Sequence, residues 1–115
     1  MKLRGLDIDD LIVLVMMADG LSVTEIAKKL HLTQPAISQR LAKIRNLTGV
    51  CVSYRASRTL KMTSNGLVLA VGAKEALLTL LRSLPDPFTH VGSDPLVHYL
   101  LSKRGDWAAH KRQDA

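Results

Sequence analysis

The apolar positions along the chain fall into helical stripes broken by short polar punctuation. "LDIDDLIVLVMMADG" reads as a first helix, with Ile8, Leu11, Ile12 and Val15 in one stripe and Leu14 and Met17 in a second. That helix is greasier than one core contact requires. Asp7, Asp9 and Asp10 suit its positive N-terminal end, and Gly20 stands where a left-handed cap closes a helix. "SVTEIAKKL" predicts a short second helix opened by a capping box between Ser22 and Glu25. Ile26, Ala27 and Leu30 face inward, Lys28 and Lys29 outward. "HL" makes a tight turn, and Thr33 caps a third helix with Pro35 in its first turn, where a missing N–H costs nothing. Its inner stripe is Ile37, Leu41 and Ile44, and it ends near Gly49.

Beyond Gly49 the period changes. Val50–Val52 and Leu60–Met62 are short β-prone pieces flanking the polar tip "YRASRT", which predicts a hairpin. Thr63 or Ser64 then caps a long helix, "SNGLVLAVGAKEALLTLLRSL", stopped by Pro85 and Pro87. It is apolar almost all round, with Lys74, Glu75 and Arg82 its only charges. Gly72 normally costs about 1 kcal/mol inside a helix. Beside Ala70, Ala73 and Ala76 it predicts a thin face that lets another helix approach. Phe88–Ala115 reads as a separate piece. It holds a short helix over 95–104 carrying Leu96, Val97, Leu100 and Leu101, then a polar end in which Trp107 anchors the packing.

The 115 residues are 47% hydrophobic but only 3% aromatic, which fits a helical domain better than a sheet-rich one. A net charge of +6 points to an acidic partner, nucleic acid first and an anionic membrane surface second. The charge is concentrated. No carboxylate intervenes between Glu25 and Glu75, while Lys28, Lys29, Arg40, Lys43, Arg45, Arg55, Arg58, Lys61 and Lys74 all fall there. The single cysteine, Cys51, excludes an intrachain disulfide and suggests a reducing compartment. The opening "MKLRGLDIDD" lacks a signal-peptide core, and the longest unbroken apolar run, "LIVLVMMA", is too short to span a bilayer. A soluble, cytoplasmic, nucleoid-associated protein is expected.

Helix, short helix, tight turn, helix and hairpin outline a mainly α winged helix-turn-helix followed by a long helix. In such motifs the third helix enters the major groove N-terminus first, so its leading residues are polar and exposed. Gln34 can offer paired donor and acceptor groups to an adenine edge, or a donor to guanine. Ser38 lies one turn on. Gln39, Arg40 and Lys43 extend the polar surface, and Arg55 and Arg58 at the hairpin tip suit a flanking backbone or the minor groove. His31 reads as a polar turn residue and Cys51 as a small strand residue. No glycine-framed nucleophile, phosphate loop or metal-ligand spacing is present, so no catalysis, metal or cofactor is expected.

"SVTEIAKKLHLTQPAISQRLAKIRNLTGV" followed by "RTLKMTSNG" resembles the N-terminal DNA-binding domain of LysR-type transcriptional regulators, over residues 3–84. The residues that carry the resemblance are Ala27, Leu30, Gln34, Pro35, Ala36, Ile37, Ser38, Gly49, Met62, Thr63 and Gly66. The resemblance implies DNA contacts from Gln34, Pro35, Ser38 and Gln39, with Thr33 beside them, and from the wing arginines. It also implies a homodimer paired through the first helix and the helix of residues 63–84. Ile44-Arg45 stands where the family usually has Leu-Glu, and Ser53 where it has Phe, so site preference and wing packing should differ. The implied organisation is a winged helix-turn-helix at 1–62, a linker and dimerisation helix at 63–84, and a tail at 85–115. LysR-type proteins carry a two-lobed effector domain after the linker. The tail is too small for one, so either a naturally short relative, the preferred reading, or a piece of a longer protein is expected, with no small-molecule effector. The expected function is sequence-specific binding of double-stranded DNA by a homodimer that regulates transcription. The alternatives are an interaction module that pairs with and antagonises a full-length regulator, and nonspecific nucleoid coating.

Overall fold

The computed structural model describes residues 2–85 and 95–102. A 3-10 turn, Leu3–Gly5, opens the chain and is tied to the body by Lys2 N–H donating to the Leu47 carbonyl at 2.7 Å. Helix α1, Ile8–Ala18, starts with a capping box made of two aspartates. Asp10 N–H donates to Asp7 Oδ1 at 2.9 Å and Asp7 N–H to Asp10 Oδ2 at 3.0 Å. Helix α2, Val23–Leu30, carries the predicted box between Ser22 and Glu25. The turn after it is made by His31, in the left-handed region at φ 55°. Helix α3, Gln34–Thr48, follows at once and stops at Gly49 with φ 76°.

The run Ile12–Met17 is buried without a break, whereas Ile8 is 52% exposed and Leu11 only half-buried. The predicted stripe therefore holds for Ile12 and Val15 but not for Ile8. The physical reason is that α1 is the central helix, touched by α2, α3, α4 and the second wing strand. A helix surrounded on all sides is apolar all round. The extra grease predicted as a surface for a partner is covered by the chain's own elements.

Helix α4, Ser64–Ser83, makes the most extensive of those contacts. Gly66, Ala70, Ala73, Leu77 and Leu81, at spacings of three and four, form its buried stripe. The predicted thin face is split. Ala70 and Ala73 lie against α1, while Gly72 and Ala76 point to solvent with Val68, Leu80 and Leu84. By length and composition α4 would pass for a membrane span, with mean hydropathy 1.3 over an 18-residue window. The longest unbroken apolar run does not reveal that property, and 33% of that window is buried inside the fold.

The wing differs from expectation in register. Strands β1, Ser53–Ala56, and β2, Thr59–Met62, pair antiparallel from Ser53↔Met62 to Ala56↔Thr59. Only Ser57, left-handed at φ 57°, and Arg58 form the turn, so most of the predicted tip is strand. Val50–Val52 are not ladder residues. Val52 is 2% exposed and its carbonyl accepts from Thr63 N–H at 3.1 Å. The Thr63 hydroxyl donates to the Cys51 carbonyl and accepts from Gly66 N–H at 2.9 Å, which caps α4. This joint explains Gly66: a Cβ there would lie 2.4 Å from the Val52 carbonyl oxygen.

Helix α5, Pro95–Ser102, covers the described part of the predicted 95–104 and lies against α4 rather than apart. Leu100 is buried, and Tyr99 donates to Asp19 Oδ2 at 2.6 Å while Lys29 Nζ sits 5.6 Å from its ring centroid. Burial, then the bond to Asp19, raises the Tyr99 phenol well above its ordinary range. Phe88, Asp94, Trp107 and the polar end fall outside the described residues.

The two helical glycines predict opposite outcomes in urea denaturation. Gly66→Ala should lose about 1–3 kcal/mol by overpacking against backbone. Gly72→Ala, with nothing within 4 Å of a new Cβ, should leave stability equal or raise it by up to about 1 kcal/mol. Equal effects at both sites would contradict this account of the Val52–Gly66 contact.

Candidate nucleic-acid interface

The third helix is amphipathic about a narrow inner edge. Ile37, Leu41 and Ile44 are buried, which turns Gln34, Ser38, Ala42 and Arg45 outward along one line at spacings of four, four and three. Thr33 Oγ1 caps the helix by accepting from Ala36 N–H at 3.2 Å, and Pro35 occupies the first turn. Short polar side chains thus stand at the positive end of the helix, where unpaired N–H groups favour an anion.

The wing folds beside that end. Gln34, Pro35, Ser38 and Gln39 from α3, Arg55, Arg58 and Thr59 from the wing, and Ser22 and Thr24 from the start of α2 line one open cleft of about 840 Å³. Six of the residues predicted from the sequence converge there: Gln34, Pro35, Ser38, Gln39, Arg55 and Arg58. A second hollow of about 220 Å³ continues along α3, where Ser38, Arg45, Cys51, Ser53 and Arg55 meet. Arg45 therefore belongs to the same surface. The signal for it was its place in the outward line set by Gln34 and Ser38. Thr24 was missed as well, because nothing local to α2 marks it. Its Oγ1 accepts from Gln34 Nε2 at 3.0 Å.

Arg40 and Lys43 are not part of the cleft. Both turn to the N-terminus of α1. Arg40 Nη1 lies 2.8 Å from Asp7 Oδ1 and 2.9 Å from Asp10 Oδ1, and Nη2 lies 3.6 Å from Asp9 Oδ2. Lys43 Nζ lies 2.5 Å from Asp10 Oδ2 and 3.3 Å from Asp7 Oδ2. Asp10 is 0% exposed, so its carboxylate must be matched by charge and hydrogen bonds at the site. These two cations, expected to extend the DNA-facing surface, are ion-paired with three acids of the same chain. Burial works to raise the Asp7 carboxyl, but the Asp10 N–H, Arg40 and Lys43 outweigh it and hold the group at about 2. The bond to Asp10 raises the Lys43 ammonium despite partial burial.

A helix-turn-helix with an exposed third-helix N-terminus and a two-stranded wing beside it is the winged helix-turn-helix architecture. The chain belongs to the lysR family of bacterial regulatory helix-turn-helix proteins, whose family model matches residues 8–67. It is 31% identical over 104 residues to nodulation protein D 3 of Mesorhizobium japonicum, covering 89% of this chain and 35% of that protein. It is 35% identical over 78 residues to nodulation protein D 1 of Bradyrhizobium sp. strain NC92, covering 68% of this chain and 25% of that protein. The chain thus spans about a third or less of the length of these relatives. Among solved structures, a complex of the CbnR DNA-binding domain with DNA superposes with TM-score 0.62 at 24% identity, over 68% of this chain and 90% of that one. Oxidised Corynebacterium glutamicum OxyR superposes with TM-score 0.65 at 26% identity, over 81% of this chain and 29% of that one.

Arg40→Ala should cost about 3 kcal/mol in stability by under-matching buried Asp10, yet leave the salt dependence of any DNA binding unchanged. A slope that drops by about one in salt titrations would instead make Arg40 a phosphate contact. The Asp7 carboxyl is held at about 2, below its ordinary 3.8, so its stabilisation is present above pH ~4 and lost as pH falls through about 2. Acid unfolding followed by circular dichroism should show Asp7→Asn losing ~1 kcal/mol of that pH dependence, the half-exposed side chain being discounted for screening.

Proposed function

We propose that this chain binds double-stranded DNA sequence-specifically as a homodimer and regulates transcription, acting at the nucleoid in the cytoplasm. Residues 1–62 provide the DNA surface. Helix α3 lies in the major groove, with Gln34, Ser38 and Gln39 at base edges and Thr33 and Pro35 against the backbone. Arg55 and Arg58 of the wing hold a flanking backbone or the minor groove. The observation that carries this reading is the open cleft on which the α3 N-terminus and both wing arginines converge, in a stretch of chain free of carboxylates.

Pairing runs through α1 and α4, with α4 supplying most of the surface. Its outer side exposes Val68, Leu80 and Leu84 with Gly72 and Ala76 among them, a slim apolar face on which a second copy can lie closely. Ile12–Met17 of α1 are covered within the chain, so its share of the pairing falls to exposed Ile8 and half-buried Leu11. A two-fold pair would present two recognition helices to half-sites on one side of the duplex.

Selection of bound sequences from a random duplex pool, with light scattering on the free protein, tests both halves. The expected outcome is a symmetric site and a dimer. A monomer that binds only a longer family member would favour the antagonist reading, and equal affinity for all sequences would favour nonspecific coating. Gln34→Ala should lose about 1–3 kcal/mol on the selected site and relax preference at one base pair. Arg55→Ala or Arg58→Ala should weaken every probe alike and lower the salt slope by about one. Gel shifts in which both kinds of variant behave identically on every probe contradict this division of roles.

A further inference from the structure

Arg45 is exposed in the last turn of α3, on the outward line set by Gln34 and Ser38. Strand β1 stands across from it. Ser53 and Arg55 lie two positions apart on that strand and so share one face, and Leu60 is the ladder partner of Arg55. Ser53, Arg55 and Leu60 from the wing, with Ser38 and Arg45 from α3, line the hollow of about 220 Å³. Two arginines from two elements thus border one hollow, and no carboxylate lines it. Among the described residues neither Arg45 nor Arg55 forms a salt bridge, whereas Arg40 and Lys43 do. Two unmatched cations raise the local positive potential, which an incoming anion lowers. The planar guanidinium fork fits two oxygens of a phosphate at once.

Distance decides which part of DNA can reach the hollow. Arg45 lies roughly 16 Å beyond Gln34 along the helix axis, at about 1.5 Å per residue. The major groove is about 12 Å wide and about 8.5 Å deep. A helix that enters it N-terminus first, with Gln34 at base edges, carries Arg45 out to the wall of the groove. That wall is sugar–phosphate backbone. Arg55 lines both this hollow and the cleft at the α3 N-terminus, so one track of backbone can pass along the two.

We propose that the hollow between α3 and β1 seats a backbone phosphate of the bound DNA, and that Arg45 is the residue that contacts it. The inference rests on the reading of α3 as the major-groove helix. A cation in the last turn of a helix also favours the helix dipole. That role alone would show in stability and leave the salt dependence of DNA binding untouched.

The test compares full-chain wild type, Arg45→Ala, Arg45→Lys, Gln34→Ala and Arg55→Ala on the site selected from a random duplex pool, over a series of salt concentrations. A second set of probes carries a neutral methylphosphonate in place of one phosphate at a time. Arg45→Ala should weaken every sequence by roughly tenfold, lower the salt slope by about one, and leave base preference unchanged. Arg45→Lys should keep the slope. One methylphosphonate position should weaken wild type and have no effect on Arg45→Ala. Arg45→Gln, which keeps a long polar side chain, replaces the alanine variant should that one melt early. An Arg45→Ala protein with the wild-type slope and the wild-type response to every methylphosphonate overturns the proposal, and so does one whose preference changes at a base pair. In either case Gln34→Ala and Arg55→Ala still test the major-groove reading separately. If wild type selects no sequence, or neither of those two variants alters binding, that reading falls and takes this proposal with it.

Discussion

The carboxylate of Asp10 is the constraint on which the placement of the recognition helix depends. It is fully buried, and a buried charge is tolerated only where opposite charges and hydrogen bonds surround it. Here they come from the Asp7 N–H in its own capping box and from Arg40 and Lys43 on the middle of α3. The start of one helix is thereby bonded to the centre of another. With Ile37, Leu41 and Ile44 locked inward beside that bond, α3 has little freedom to roll, and Gln34 and Ser38 are held outward. Through the same ion pairs the charges of Arg40 and Lys43 are matched within the chain. Arg55 and Arg58 of the wing line the cleft beside α3, and Arg45 lines the hollow that continues from it.

A second joint positions the wing. Thr63 bonds to both Cys51 and Val52 while capping α4, and Gly66 lets the first turn of α4 rest on the Val52 backbone. Hairpin and long helix therefore move as one piece, and α4 in turn lies along α1. A two-stranded hairpin is marginal by itself. Welded at its base to a packed helix, it can hold Arg55 and Arg58 beside the α3 N-terminus.

The division of surfaces follows from those two joints. One side of the molecule is polar and basic at the α2–α3–wing cleft. Another is the outer side of α4, slim and apolar. The two surfaces share no residue.

Much of the fold was legible because its signals are local. Ser22 with Glu25, Thr33, Thr63, Gly20 and Gly49 mark helix ends through bonds or backbone angles that involve residues within a few positions, and all stand where the pattern predicted. The inner stripe of α3 and the polar leading residues of that helix were equally readable, because helical period alone assigns them to opposite sides. What the sequence could not determine depends on partners far along the chain. The engagement of Arg40 and Lys43 with acids 30 to 36 positions away, the wing register, the steric need for Gly66 and the hold of Thr24 on Gln34 all arise across elements. The unbroken burial of Ile12–Met17 in α1 is of the same kind, since composition shows that a helix is apolar all round but not which neighbours cover it. Local hydrogen bonding and periodicity fixed the elements. Long-range charge matching and packing decided which of their residues remain free to meet a partner.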